Sequence, residues 1–291
     1  MAKGRPHITQ NGAKNFLRRE QIRLGFYRIA FGLALLAAWQ LSADSNSVLT
    51  RVLPNLFPLV DEYWISTPAK ILQQLWDLTS SGEIFFHFKG TMLNTVIGYI
   101  LGAAIGITLG FVLAEFETIA KVLEPYIMAF NGVPRIAYAP LFIVWFGIGM
   151  QSKIILVMTI VFFLTFINTY TGIRGVSPDL INIARIIGGT KLKIMLKVVL
   201  PGASPWIISG LKVSVPFSLV GAIVGEFIAA SSGLGFLLQL YMNLYNTTGV
   251  ILIILILMFV VMVLNILLNW LESYILRWRP PTSAGQESPE T

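Results

Sequence analysis

Six apolar runs, nearly free of charge, constrain this chain more than any other feature. They cover residues 29–43 (with room to extend back to Gly25), 90–114, 121–147, 154–173, 206–229 and 249–271. About 20 apolar residues suffice to cross a bilayer as a helix. Backbone polar groups in hydrocarbon must be satisfied internally, so each run has to be helical. The third run is interrupted by Pro134-Arg135. Hydrophobic residues make up 55% of the chain and charged residues 12%, about half the charged share of a soluble domain. The mean hydropathy is +0.74. The expected fold class is therefore all-α, a polytopic membrane protein with six transmembrane helices.

Basic residues orient the spans. Lys3, Arg5, Lys14, Arg18, Arg19 and Arg23 precede the first run. Arg174, Arg185, Lys191, Lys193 and Lys197 stand between the fourth and fifth runs against Asp179 alone, and Arg277 and Arg279 follow the sixth. With six crossings these places share one side, so both termini are expected in the cytosol of a bacterial plasma membrane. The loop with Glu115 and Glu117 departs from this trend, though acids weigh little in it. No small-residue cleavage site follows the first run, which reads as an uncleaved span. The expected layout is a cytosolic tail at 1–24, a membrane domain at 25–276 and a second tail at 277–291. Residues 1–22 and 280–291 are polar and expected to be mobile. Within the outer segment 45–89, Ile71, Leu72, Leu75, Trp76 and Leu78 fit a helix lying along the membrane surface.

Composition also removes whole classes of chemistry. The chain has no cysteine and only His7 and His87, so neither thiolate nor multi-histidine metal sites are available. It contains no phosphate-binding G-x-x-x-x-G-K-[ST] loop, no nucleophile elbow and no histidine-bearing triad. The net charge of +7 is spread over tails and span flanks, which does not suggest nucleic acid.

Residues 173–201 read IRGVSPDLINIARIIGGTKLKIMLKVVLP. Ser177-Pro178 matches a helix N-cap followed by proline in the first turn. Gly188-Gly189 ends that helix, and Thr190 can cap a second one bearing Leu192, Met195, Leu196 and Val199 at helical spacing. Two short helices joined at a glycine corner are expected, facing the cytosol.

The segment resembles the cytoplasmic loop of importer-type ABC permeases, E-A-A, three residues, G, nine residues, I-x-L-P. Aligned on Gly188, Leu200 and Pro201 keep the pattern, while Asn182 and Ile183 replace its first two positions and Ala184 keeps the third. The resemblance implies that Asn182, Ala184, Arg185, Gly188, Leu200 and Pro201 contact an ATP-hydrolysing subunit. Val133-Pro134-Arg135-Ile136-Ala137, Ala139-Pro140-Leu141, Trp145-Phe146-Gly147-Ile148-Gly149 and Ser232-Gly233-Leu234-Gly235 extend the likeness to the nitrate/sulfonate/taurine/bicarbonate branch. That branch implies a type I importer-like permease, present as two copies with two ATP-binding cassette subunits and a soluble substrate-binding protein. ATP and Mg would be used by the cassette subunits, with no cofactor on this chain. The implied cargo is a small solute, an anion such as a sulfonate, nitrate or bicarbonate.

Other residues have two readings each. Gly98, Gly102, Gly106 and Gly110 form one smooth helix face that admits another backbone, in this chain or in a second copy. Arg135 inside the third run must face protein or water; it either lines the translocation pathway or pairs with Glu226. Glu226 is a pathway candidate or a structural pair or helix-end contact, and Lys212 is expected to snorkel to the cytosolic interface. Asn131 and Asn168 are pathway polars or interhelical hydrogen-bonders, as are Thr165 and Gln151. An ATP-independent secondary transporter would show paired broken helices in both halves, and no second copy of the Pro134 region is found. A channel or scaffold would leave the 173–201 loop unexplained.

Overall fold

The structure, a computed structural model, describes residues 10–43, 62–228 and 231–275. Residues 1–9, the start of the outer segment at 44–61, and the C-terminal tail with Arg277 and Arg279 lie outside the described residues. All regular secondary structure among the described residues is helical, without strands. In chain order the elements are α1 (Gln10–Ala43), α2 (Glu62–Ile65), α3 (Pro68–Ser80), α4 (Glu83–Glu115) and α5 (Glu117–Gly132). A 3₁₀ turn (Arg135–Tyr138), α6 (Ala139–Phe146), α7 (Met150–Arg174), α8 (Pro178–Ile186) and α9 (Lys191–Ile194) follow. A π-helical turn (Met195–Val199), α10 (Leu200–Ile228), α11 (Leu234–Asn243) and α12 (Thr247–Ile275) complete the chain.

Among the described residues, five stretches are long and apolar enough to cross a membrane: Arg23–Ala43, Glu83–Glu115, Met150–Arg174, Lys191–Ile228 and Thr247–Tyr274. The third expected span is the bent pair Glu117–Gly132 and Arg135–Phe146, turned by 88°, which brings the number to six if it crosses. The polar segment at 10–22, expected as a mobile tail, instead continues α1 back to Gln10.

The chain divides into two compact units. The first contains Met1–Asp77 and Tyr245–Leu252. In it, the Ala69 N–H donates to Gln40 Oε1 at 3.2 Å, and the Ser66 and Thr248 hydroxyls share a hydrogen bond of 2.8 Å. The amphipathic helix expected after Pro68 is α3, with Ile71 and Leu78 buried and Leu72 and Trp76 exposed.

The second unit, Leu78–Leu244 and Ile253–Thr291, is built on α4, α7 and α10. α4 packs on α7 through its glycines, whose missing side chains let the two backbones meet. A Cβ on Gly98 would lie 2.6 Å from Val157 Cβ, and one on Gly102 would lie 2.5 Å from the Met158 carbonyl oxygen. Gly106 abuts Thr165 and the Phe162 carbonyl, and a Cβ on Gly110 would lie 2.9 Å from the Phe166 carbonyl oxygen. This face is thus occupied within one chain. Lys212 of α10 does not snorkel; it pairs with Glu272 of α12. At the opposite end from Glu83, the departing acids Glu115 and Glu117 are matched: Glu115 pairs with Lys191, and Glu117 with Lys121 at 3.0 Å and Arg174 at 3.5 Å. Their charges are balanced by basic residues of the same side, which accounts for their place in a loop that should be basic.

Candidate functional site

The 173–201 loop begins where α7 ends at Arg174. α8 starts at Pro178 with Ser177 at the N-cap position, but no side-chain cap hydrogen bond forms there or at Thr190. The corner itself is made by the backbone. Gly188 takes φ +86°, the left-handed conformation that favours glycine, and the Gly189 N–H donates to the Ala184 carbonyl at 2.9 Å. A Cβ at Gly188 would meet open space, so the positive φ alone calls for glycine.

The second half of the loop departs from expectation. α9 is no separate short helix, for Lys191–Ile228 forms one span of 38 residues. Pro201 lacks an N–H, and just before it the helix loosens into the π turn, where the Leu200 N–H bonds back to Met195. Ile173, Val176, Ile194, Val199 and Ala203 form a buried cluster under the loop, with Ile181 and Ala184 of α8 packed against it. Of the residues aligned to the family loop, Asn182, Arg185 and Gly188 are exposed, and Ala184, Leu200 and Pro201 are half-buried. The outward side of α8 carries Leu180, Ile183 and Ile187 at helical spacing, the last 79% exposed.

The second place of interest is the break in the third span. In a continuous helix residue 134 would donate to the Phe130 carbonyl; proline cannot. The Tyr138 hydroxyl donates to that carbonyl instead, at 3.4 Å. Val133 is extended and the chain turns into the 3₁₀ segment that carries Arg135. The Arg135 guanidinium donates from one terminal nitrogen to Asn131 Oδ1 and lies 5.9 Å from the centre of the Phe163 ring, within cation–π range. Its Nε–H is buried and, among the described residues, without a partner. Asn131, Arg135 and the backbone between them line a cavity of about 360 Å³, together with Ile160, Phe217 and Val220. The site therefore joins one cation to largely apolar walls.

The other two pathway candidates are not in this cavity. Asn168 donates to Leu164 on its own helix at 2.8 Å and packs against Gly210 of α10. Glu226 is fully buried and does not pair with Arg135. Its carboxylate accepts from the Thr91 hydroxyl at 2.9 Å, the Asn94 amide at 3.4 Å and the Gly235 N–H at 2.9 Å. Thr91 in turn accepts the Leu234 N–H at 2.7 Å, and His87 Nδ1 accepts the Gly233 N–H at 3.0 Å. Three successive backbone donors at the start of α11 are thereby met by side chains of α4 and α10. Ser232-Gly233-Leu234-Gly235 is glycine-rich for a steric reason: Gly233 adopts φ +118°, and a Cβ on Gly235 would lie 2.8 Å from Glu226 Cβ. Lys153 of α7, also buried, acts on this carboxylate through space.

His87, Thr91, Asn94 and Lys153 were not singled out from the sequence. A signal existed for three of them. His87, Thr91 and Asn94 continue backward, at spacings of three and four, the register of Gly98, Gly102, Gly106 and Gly110, and all are buried on one face of α4.

Residues 83–278 match the family of binding-protein-dependent transport system inner membrane components. The putative aliphatic sulfonates transport permease protein SsuC of Bacillus subtilis (strain 168) is 31% identical over 245 residues, covering 84% of each chain. The riboflavin transport system permease protein RibX of Chloroflexus aurantiacus is 30% identical, over 84% of this chain and 87% of its own. Among solved structures, the MetNI methionine ABC transporter in an inward-facing form aligns with 70% of this chain and 98% of its own, at a TM-score of 0.59 and 19% identity. That alignment carries the fold.

Proposed function

This chain belongs to the family of binding-protein-dependent transport system inner membrane components, and from that footing we propose that it carries a small anion across the membrane. It is the permease subunit of an ABC importer, a transport protein of the inner membrane and not an enzyme. The cargo is a sulfonate, nitrate or bicarbonate, handed over by a soluble substrate-binding protein outside. The observation that carries this reading is Arg135, a cation lining a cavity at the break of the third span. Similarity to a sulfonate permease agrees with an anion, while riboflavin transport by a relative of equal similarity shows that the family's scaffold is not confined to one cargo.

Two copies of the chain flank the pathway. What supports a second copy is the non-helical backbone of the break, with Val133 and Ile136 exposed. Such backbone at membrane depth belongs against protein or a water-filled cavity, not lipid. Two ATP-binding cassette subunits hydrolyse ATP with Mg, dock on the 173–201 loop and pass their closure to α10 through the unbroken helix from Lys191. Both termini lie in the cytosol.

Two substitutions test these roles separately. Arg135→Gln is expected to cut uptake by about ten-fold or more, the worth of a charge-assisted hydrogen bond of about 1.5–3 kcal/mol, with assembly intact. Lysine should rescue in part, keeping charge but losing the planar fork. Normal uptake by a stable Arg135→Gln protein would remove Arg135 from the pathway. Gly188→Val places a β-branched residue at positive φ, at a cost of about 1–2 kcal/mol. Co-purification of the ATPase and transport-coupled ATP hydrolysis should both fall; wild-type values for both would refute docking at this corner.

A further inference from the structure

α8 is apolar on two sides, and only one of them is used. Ile181 and Ala184 pack on the buried cluster around Ile173, Val176 and Ile194. On the other side Leu180, Ile183, Ile186 and Ile187 are exposed, Ile186 to 84%. Leu192 and Leu196 continue this apolar surface beyond the glycine corner.

The charges around it divide into two groups. Arg174 and Lys191 are consumed inside the chain by Glu117 and Glu115. Arg185, Lys193 and Lys197 are exposed and make no ion pair among the described residues. Against these three cations stands one exposed acid, Asp179. At the position where the family loop carries its acid, this chain has the neutral, exposed Asn182. We propose that the surface of α8 and the Lys191–Val199 turn docks into an apolar groove with an acidic rim on the ATP-hydrolysing subunit, the reverse of the polarity that an acid at position 182 would demand. This rests on the docking reading above and adds the chemistry of the partner's groove.

An anionic membrane surface is the other body that attracts cations and leucines. Helix length argues against it. The 38 residues of Lys191–Ile228 rise about 57 Å at 1.5 Å each, against about 30 Å of hydrocarbon. The apolar run of this helix begins near residue 206, so the excess length falls at the Lys191 end, and α8 is held to that end through Ile194.

The test uses the full-length chain co-expressed with its ATP-hydrolysing subunit and purified in a neutral detergent, free of added anionic lipid. The triple reversal Arg185→Glu, Lys193→Glu, Lys197→Glu should lower the co-purified ATPase about ten-fold at low salt, because like charges then face each other. In the wild type, retention should fall as ionic strength rises. Asn182→Glu, which restores the family acid, should weaken retention about three-fold by the same repulsion; this single exposed change decides the matter even if the triple variant fails to assemble. Tighter association of Asn182→Glu, or full retention by an assembled triple variant, would overturn the proposal. Ile183→Asp with Ile187→Asp separates the two readings. Loss with this pair alone, and none with the charge variants, keeps docking and refutes the acidic rim. Retention by every variant refutes both. A triple variant that keeps its ATPase but no longer co-sediments with phosphatidylglycerol vesicles assigns the surface to the membrane and refutes the rim.

Discussion

Gly106→Leu is expected to prevent assembly of a stable permease. Any side chain there enters space held by Thr165 Oγ1 and the Phe162 carbonyl, which would lie 2.7 Å from the new Cβ. Neither neighbour can move cheaply. The Thr165 hydroxyl is bonded to the Val161 carbonyl of its own helix at 2.8 Å, and the Phe162 carbonyl is backbone. The helices must part instead, opening the contact that Gly98, Gly102 and Gly110 share. Overpacking of a close contact costs about 1–3 kcal/mol, and a backbone-to-backbone contact belongs at or above the upper end. Size-exclusion chromatography of the detergent-solubilised complex during heating reads this directly. A Gly106→Leu protein that elutes and melts like wild type would show that α4 does not depend on this face.

Glu226→Ala should produce the second large effect. The carboxylate is the acceptor for Thr91, Asn94 and the Gly235 N–H in a site closed to water. Its removal leaves those buried donors unmet, at about 1–3 kcal/mol for each one left without a partner. Thr91→Val should cost less, about 1–3 kcal/mol, since it orphans chiefly the Leu234 N–H. Because the two residues share one network, the double variant should lose less than the two single losses combined. Thermal melting measures the total, and amide hydrogen exchange at Gly233, Leu234 and Gly235 locates it. Unchanged protection at those three amides in Glu226→Ala would show that the start of α11 is held by something other than this cluster.

The chain's class was legible in its residues because hydrocarbon leaves little choice. A charge-poor run of about 20 residues must become a helix in lipid, whatever its neighbours. For the same reason the sequence located the glycine corner at Gly188, where a local backbone preference suffices, and the break at Pro134, where a donor is missing. Local sequence could not show that the third span turns by 88°, nor that α9 runs unbroken into α10, since both depend on what the flanking helices pack against. Helical periodicity placed the glycines of α4 on one face, but only the tertiary structure identified α7 as the helix that meets them. The partners of single charges were further out of reach. Lys212 meets Glu272, and Glu226 meets Thr91 and Asn94, not Arg135. Residues so far apart in sequence meet only when each helix is rotated and set in depth against the others, and in a membrane the hydrophobic effect does not select that rotation. Close packing of glycines and the need to satisfy every buried donor decide it.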